Sequence, residues 1–355
     1  LFSFILLFFL GLFFSFSSTS SLAGERLNKD YYFFFSKHLL FVLFAILLMF
    51  FFSFLKLEFV NKSIIPLFVL LFFVLILVPL IGVEVKGSKR WLNLYFFRIQ
   101  PIELIKPIFI MLTAKILTLD KNNISLSSYL FSFLVLVAIV VLLINQPDLG
   151  QSILLIGTWI TVIFISGISF IYIFSFFAIS LAALIGVLMI FADKFEYIIN
   201  RLKTFIDPSK GDSFQSQKAL DAIKQGGLTG QGMGEGILKD SVPEAHTDYI
   251  IAIISEEYGA IISILIISIF LYITFKIIKI AVIEKDNGLK LSLCGLSTLL
   301  IFQTFIHIGV NTSLLPTTGM TLPFLSYGGS SLIGSAILAG IILNYTKKRF
   351  DDVEF

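Results

Sequence analysis

Val242-Pro243-Glu244-Ala245-His246-Thr247-Asp248-Tyr249 runs without a spacer into Ile250-Ile251-Ala252-Ile253-Ile254, the start of a long apolar stretch. A dense polar cluster thus hands over directly to a segment of bilayer-crossing length, which needs about 20 mostly apolar residues. Acidic and imidazole side chains therefore stand where water gives way to hydrocarbon. Glu244 and Asp248 fit the start of a helix, where the macrodipole favours acids. A carboxylate at this rim can also act as a general base on a group carried in the lipid. Taken alone, the helix cap accounts for Asp248, because acids at helix starts are ordinary.

The rest of the chain repeats the apolar pattern. Of its 355 residues 57% are hydrophobic and 14% charged, with mean hydropathy +0.98. No soluble interior of this size holds so much apolar surface, so the composition predicts an all-α polytopic membrane protein. Spans are predicted near 1–17, 38–56, 64–82, 101–118, 129–144, 149–167, 170–191, 249–275, 290–310 and 324–345, about ten transmembrane helices in a single integral domain over 1–355. The 41 Phe suit a lipid-facing surface, and a net charge of +3 gives no reason to expect nucleic acid. The single Cys294 excludes an internal disulfide and a cysteine metal cluster. Residue 1 is Leu, so the N-terminal end is expected to be incomplete, and with no basic leader ahead of the first apolar run a signal peptide is not expected.

One connection is long. Residues 192–248 are polar, rich in Gly and Lys, and long enough to hold small helices; long loops in compact proteins are usually functional. No internal repeat is visible, which counts against an inverted-repeat transporter. Lys and Arg are more numerous in the short loops on the C-terminal side (Lys56, Lys62, Lys115, Lys276, Lys347) than on the opposite side (Arg26, Lys37, Lys86, Arg98). The positive-inside rule then puts the C-terminus in the cytoplasm, and the long loop with Asp248 outside.

Several polar groups stand out against this background. Lys89, Arg90 and Trp91 read either as an interfacial anchor or, for Arg90, as a bidentate pyrophosphate ligand. Glu103 and Lys106 lie three apart inside a span, so they share a face, either as a structural ion pair or as the wall of a polar cavity. Asn145-Gln146-Pro147-Asp148 places Asp148 as a helix cap. Gly226-Gly227-Leu228-Thr229-Gly230-Gln231-Gly232-Met233-Gly234-Glu235-Gly236 fits neither a Walker A loop nor a Rossmann fingerprint and reads as a flexible loop. Gln303, His307 and Asn311 form one polar stripe on an apolar helix, with no second histidine at metal-ligand spacing. Pro316 to Ser331 permits a broken helix, close packing through Ser330 and Ser331, and free N–H groups that suit an anion.

Arg90-Trp91, Gln100-Pro101 with Glu103, Gln146-Pro147-Asp148-Leu149-Gly150, Gly226-Gly227-Leu228 with Gly230, Pro243-Glu244-Ala245-His246-Thr247-Asp248, and Leu322-Pro323 with Ser326-Tyr327-Gly328-Gly329-Ser330-Ser331 occur together and in order. The set resembles the shape, elongation, division and sporulation family, whose best-known members are FtsW and RodA. The resemblance implies a ten-span peptidoglycan glycosyltransferase of the bacterial plasma membrane that polymerises lipid II, the undecaprenyl-pyrophosphate disaccharide-peptide. It implies a class B penicillin-binding protein (an FtsI-like transpeptidase) and other divisome proteins as partners. Thr318-Gly319-Met320-Thr321-Leu322-Pro323 looks more like the FtsW form than the RodA form, which implies a septal role. The family's essential aspartate falls on Asp248. Candidate substrate-binding residues are Lys89, Arg90, Trp91, Glu103, Lys106, Glu244, His246, Ser326 and Ser330. This chain departs from the family in having Ile102 where Ser is usual, His307 where Asn is usual, and no polar start to its first span. No cofactor is required; a divalent cation, Mg or Mn, would serve the leaving group as a cationic side chain does, though no acidic cluster calls for one. The rivals are a lipid II flippase or other transporter using the same polar groups, an elongation polymerase like RodA, and a divisome scaffold.

Overall fold

A computed structural model describes residues 1–18, 33–85, 88–94, 97–119, 124–176, 178–179, 196–207, 214–238 and 241–347. In chain order these form α1 (Phe2–Ser18), α2 (Phe33–Phe54), α3 (Leu57–Ile81), β1 (Val83–Val85), β2 (Ser88–Asn93), β3 (Arg98–Ile99), α4 (Pro101–Leu117), α5 (Leu126–Asn145), α6 (Leu149–Ile165), α7 (Glu196–Ile206), α8 (Phe214–Gly226), α9 (Ile250–Ile283), α10 (Asn287–Asn311) and α11 (Gly329–Tyr345). α2, α3, α5, α9 and α10 are long and apolar enough to cross a membrane, and shorter apolar helices lie at 2–16, 149–165 and 329–345. The protein is a multi-pass helical membrane protein. The predicted spans coincide with these helices, apart from 170–191. That segment is helical at 170–176, and residues 180–191 lie outside the described part. α3 starts seven residues before its predicted span because Glu58 and Lys62 are helical without being apolar. α11 starts at Gly329, after a turn through Pro323.

α4, α10 and α11 form the centre, and nearly every residue of α4 is buried. The outer helices bury one stripe each. On α2 it is His38, Val42, Ala45, Met49 and Ser53, at helical spacing, while Phe44, Phe51 and Phe54 face outward. Small residues allow the centre to close: a Cβ on Gly334 would lie 2.5 Å from the Glu103 carbonyl oxygen. At one end of the bundle the Asn344 amide donates to the carbonyls of Phe52, Ser53 and Leu55, and Lys347 donates to Ser53. The connection from α3 to α4, which the sequence presents as a plain loop, is a small antiparallel sheet with Val83 opposite Trp91 and Leu92 opposite Ile99. It lies at the other end.

α9 departs most from expectation. Its 34 residues exceed a bilayer, and the helix is broken at Gly259 (φ 81, ψ 175). From Ala260 onward about 24 residues, roughly 36 Å, remain to cross the membrane. Ile250 to Glu257 are buried on every face, so this first part is enclosed by protein rather than lipid. The break frees backbone groups, and the glycine-rich segment takes them up. Gln231 N donates to Glu256 O at 2.9 Å and Gly232 N to Glu257 O at 3.0 Å; Ala260 N donates to Gly227 O at 2.9 Å and Ile261 N to Leu228 O at 3.3 Å. Broken helices at membrane depth need such partners. The segment read as a flexible loop is a backbone clasp, and its glycines permit the approach: a Cβ on Gly230 would sit 2.2 Å from Glu257 O.

Candidate active site

The β-sheet, the turn before α6, the turn before α9 and the loop 312–328 converge at the end of the bundle opposite Asn344. In β2 side chains alternate between faces, so Lys89 is exposed while its neighbour Arg90 is buried, and Trp91 is half-buried. Lys89 and Arg90 therefore do not serve one site. Arg90 Nε donates to the Gln146 carbonyl at 3.0 Å and Nη2 donates to the Pro147 carbonyl. Asp148 Oδ2 lies 3.9 Å from Nε. With two nitrogens held by carbonyls, Arg90 is not disposed for a bidentate grip, and it presents Nη1 instead.

Asp148 caps α6 by accepting from Gln151 N, and its Oδ2 accepts from Gln100 Nε2 at 3.0 Å. Burial pushes its carboxyl above the usual range, with Arg90 pulling in the opposite direction. No such cap operates at α9: Tyr249, not Asp248, holds the N-cap position there, and no side-chain cap bond forms. Asp248 sits half-buried in a turn closed by the Glu244 carbonyl, which accepts from Thr247 N at 3.0 Å and Asp248 N at 3.1 Å. Glu244, at φ 56, accepts from the Thr247 hydroxyl at 3.0 Å.

The polar stripe of α10 holds this turn and the loop beside it. Asn311 Nδ2 donates to the Asp248 carbonyl at 3.0 Å. His307 Nδ1 is 2.8 Å from the Met320 carbonyl, so Nδ1 carries the proton; Gln303 Nε2 donates to the Thr321 carbonyl at 3.1 Å. From α7, Arg201 Nη1 donates to the Thr317 carbonyl at 3.0 Å. The loop so held carries Gly319 at φ 69. A Cβ built there would lie 3.4 Å from Asp248 Oδ2 and 3.9 Å from Arg90 Nη1, with no other described atom beyond its chain neighbours within 4 Å. Asp248 Oδ2 and Arg90 Nη1 thus both border the space that a side chain at Gly319 would take.

The remaining candidates hold contacts of their own. Ser326 Oγ donates to the Thr247 carbonyl at 2.6 Å and accepts from Leu322 N at 2.8 Å. Ser330 Oγ accepts from Gln100 N at 2.9 Å and donates to the Arg98 carbonyl at 3.2 Å. Ser326 ties its loop to the turn before α9, and Ser330 ties the start of α11 to β3 and Gln100. His246 packs in an aromatic group with Phe34 and Tyr327, at 5.6 and 5.5 Å between ring centroids. Glu103 and Lys106 form the anticipated pair at 2.8 Å; Gln151 Nε2 donates to Glu103 at 2.6 Å and Lys106 Nζ to Gln303 at 3.0 Å. Together with Pro107, Pro323 and Ser335 the pair lines a narrow cavity. In sequence Gly319 reads only as part of the Thr318–Pro323 stretch, and Arg201, Glu256 and Glu257 carry no signal there.

The chain was compared with known proteins. The model of the cell cycle protein family FtsW/RodA/SpoVE matches residues 1–350. The probable peptidoglycan glycosyltransferase FtsW of Caulobacter vibrioides is 33% identical over 341 residues, covering 96% of this chain and 86% of its own length. Stage V sporulation protein E of Bacillus subtilis is 34% identical over 353 residues, covering 97% and 94%. In fold, the chain is similar to one from a peptidoglycan synthase complex that coordinates polymerization and crosslinking (TM-score 0.78, 23% identity, 99% of each chain). It is also similar to Thermus thermophilus RodA (TM-score 0.72, 23% identity, 99% of this chain and 96% of that one). The chain belongs to the FtsW/RodA/SpoVE family of cell cycle proteins.

Proposed function

We propose that the protein is a peptidoglycan glycosyltransferase that polymerises lipid II at the outer face of the plasma membrane, in septal wall synthesis, with a class B penicillin-binding protein as partner. The observation that carries this reading is the slot in which Asp248 Oδ2 and Arg90 Nη1 flank Gly319. Relatives named as glycosyltransferases support the reaction class. Asp248 accepts the proton of the acceptor sugar's 4-hydroxyl as that oxygen attacks the anomeric carbon of the donor. The bond to the lipid pyrophosphate breaks, and its electron pair leaves with the phosphate. Arg90 offsets the charge that develops there. One displacement inverts the anomeric carbon and needs no second carboxylate as nucleophile. Among the described residues no three His, Cys, Asp or Glu side chains are grouped to hold a metal ion. Mg or Mn, where bound, would offset charge on the leaving pyrophosphate as a cationic side chain does.

The test is polymerisation of labelled lipid II by the purified protein with its transpeptidase partner. Glycan strands from the wild type and none from Asp248→Asn, at equal folded yield, are expected. Strands of normal length from Asp248→Asn would remove Asp248 as the base, and lipid II flipping in vesicles without polymer would favour the transporter. Depletion in growing cells separates a septal role, which gives filaments, from an elongation role, which gives rounded cells.

A further inference from the structure

We infer that Gly319 sets the width of the reacting slot, and that a side chain at this position would bar the acceptor hydroxyl from Asp248. The inference rests on the polymerase reading above and names a residue that acts by leaving space. The point a Cβ would occupy lies 3.4 Å from Asp248 Oδ2 and 3.9 Å from Arg90 Nη1. An oxygen hydrogen-bonded to either group must come within about 2.7–2.9 Å of it, so a methyl group there competes directly with both. One wall of the slot accepts a proton and the other offers N–H groups. The fitting occupant is a neutral hydroxyl beside an anionic phosphate oxygen.

The loop cannot retreat to make room. Thr317 O is held by Arg201, Met320 O by His307 and Thr321 O by Gln303. Gly150 at the start of α6 closes the outer side, because a Cβ on it would come within 2.8 Å of Thr318 and 2.9 Å of Met320. The left-handed φ of 69 at Gly319 is a separate demand. Asn tolerates that conformation, so backbone geometry alone does not require glycine. The room left beside Asp248 Oδ2 and Arg90 Nη1 among the described residues does.

Two demands call for two kinds of variant. Gly319→Asn meets the backbone demand and fills the slot. Gly167→Ala, at φ 90 with nothing within 4 Å of its Cβ, carries the same strain far from the site. With lipid II as substrate, Gly319→Ala and Gly319→Asn are expected to elute and melt as folded protein with kcat lowered about 100-fold, the scale of a 1 Å misplacement of reacting groups. Gly167→Ala should turn over at the wild-type rate. In Gly319→Ala the added methyl strips water from Asp248, a carboxylate that faces Arg90 and stands beside Tyr249 in a turn with Glu244 and His246. Desolvation disfavours the charged base, so the acidic limb of the residual rate should move to higher pH. Wild-type turnover by Gly319→Asn overturns the inference, and so does lost activity with an unmoved acidic limb. Asp248→Asn is run in parallel. If it is inactive while Gly319→Asn is active, this inference alone fails; if it polymerises normally, the proposed function fails first.

Discussion

The side-chain amide of Asn311 donates at 3.0 Å to the backbone carbonyl of Asp248, and the same nitrogen donates at 2.8 Å to the carbonyl of His307 one turn earlier. The polar stripe on α10 thereby holds the backbone of the proposed base rather than its carboxylate. Asn311→Leu leaves the half-buried Asp248 carbonyl without that donor, a loss of about 0.5–1.5 kcal/mol. We expect a lower melting temperature and a kcat reduced about tenfold or more with KM nearly constant, since the substrate's remote contacts persist. A raised KM at unchanged kcat would show that Asn311 shapes a binding surface instead.

Glu103 and Lys106 are both buried, 2.8 Å apart, with Gln151 and Gln303 completing their bonds. Lys106→Met leaves a carboxylate inside the bundle with, among the described residues, only the Gln151 amide as its hydrogen-bond partner. Breaking a buried pair this way costs about 3–5 kcal/mol, whereas removing both charges is often close to neutral. Thermal unfolding in detergent should therefore rank Lys106→Met below the double variant Glu103→Gln/Lys106→Met. Equal melting temperatures for the two would mean that packing, not the stranded charge, governs this site.

The clasp on α9 gives a third test. A Cβ at Gly259 would meet Leu228 O at 2.2 Å and Gly230 N at 2.5 Å, at φ 81. Gly234 has a similar φ of 84, with nothing within 4 Å of its Cβ. Gly259→Ala should pay both strain and clash, and Gly234→Ala strain alone, about 1–2 kcal/mol. Hydrogen exchange at the Gln231 and Gly232 amides should accelerate at least about tenfold in Gly259→Ala, the factor that 1.4 kcal/mol represents. If the two variants exchange alike, the glycine-rich segment is not held by the break.

The transmembrane helices were legible because an apolar run of bilayer length needs no partner to identify it. Asp148 was legible as a cap because capping is local. Arg90 and Asp248 are 158 positions apart, and no periodicity links them; only the ordered motifs of the family pointed to both. The glycine-rich segment misled for a related reason. Its partners are the carbonyls of Glu256 and Glu257, which become available only where α9 breaks, and high hydropathy on both sides of Gly259 hides that break. Ser326 and Ser330 look free in sequence, yet their hydroxyls are taken up by backbone carbonyls far along the chain, those of Thr247 and Arg98.

Asp148 supplies a prediction in pH. Its carboxyl, in the turn before α6, is raised from an ordinary value of 3.8 by burial, with Arg90 opposing. A carboxyl whose folded pKa lies above its unfolded one binds protons more tightly when folded. Its contribution to stability is therefore most favourable at low pH and is lost as pH rises from the unfolded toward the folded value. Asp148→Asn removes this term and keeps an oxygen to accept from Gln151 N. The melting temperature of Asp148→Asn relative to wild type should thus climb as pH rises above the ordinary carboxyl value of 3.8. Should the difference stay flat, or reverse, the pull of Arg90 outweighs desolvation and the carboxylate is held as a full ion-pair partner.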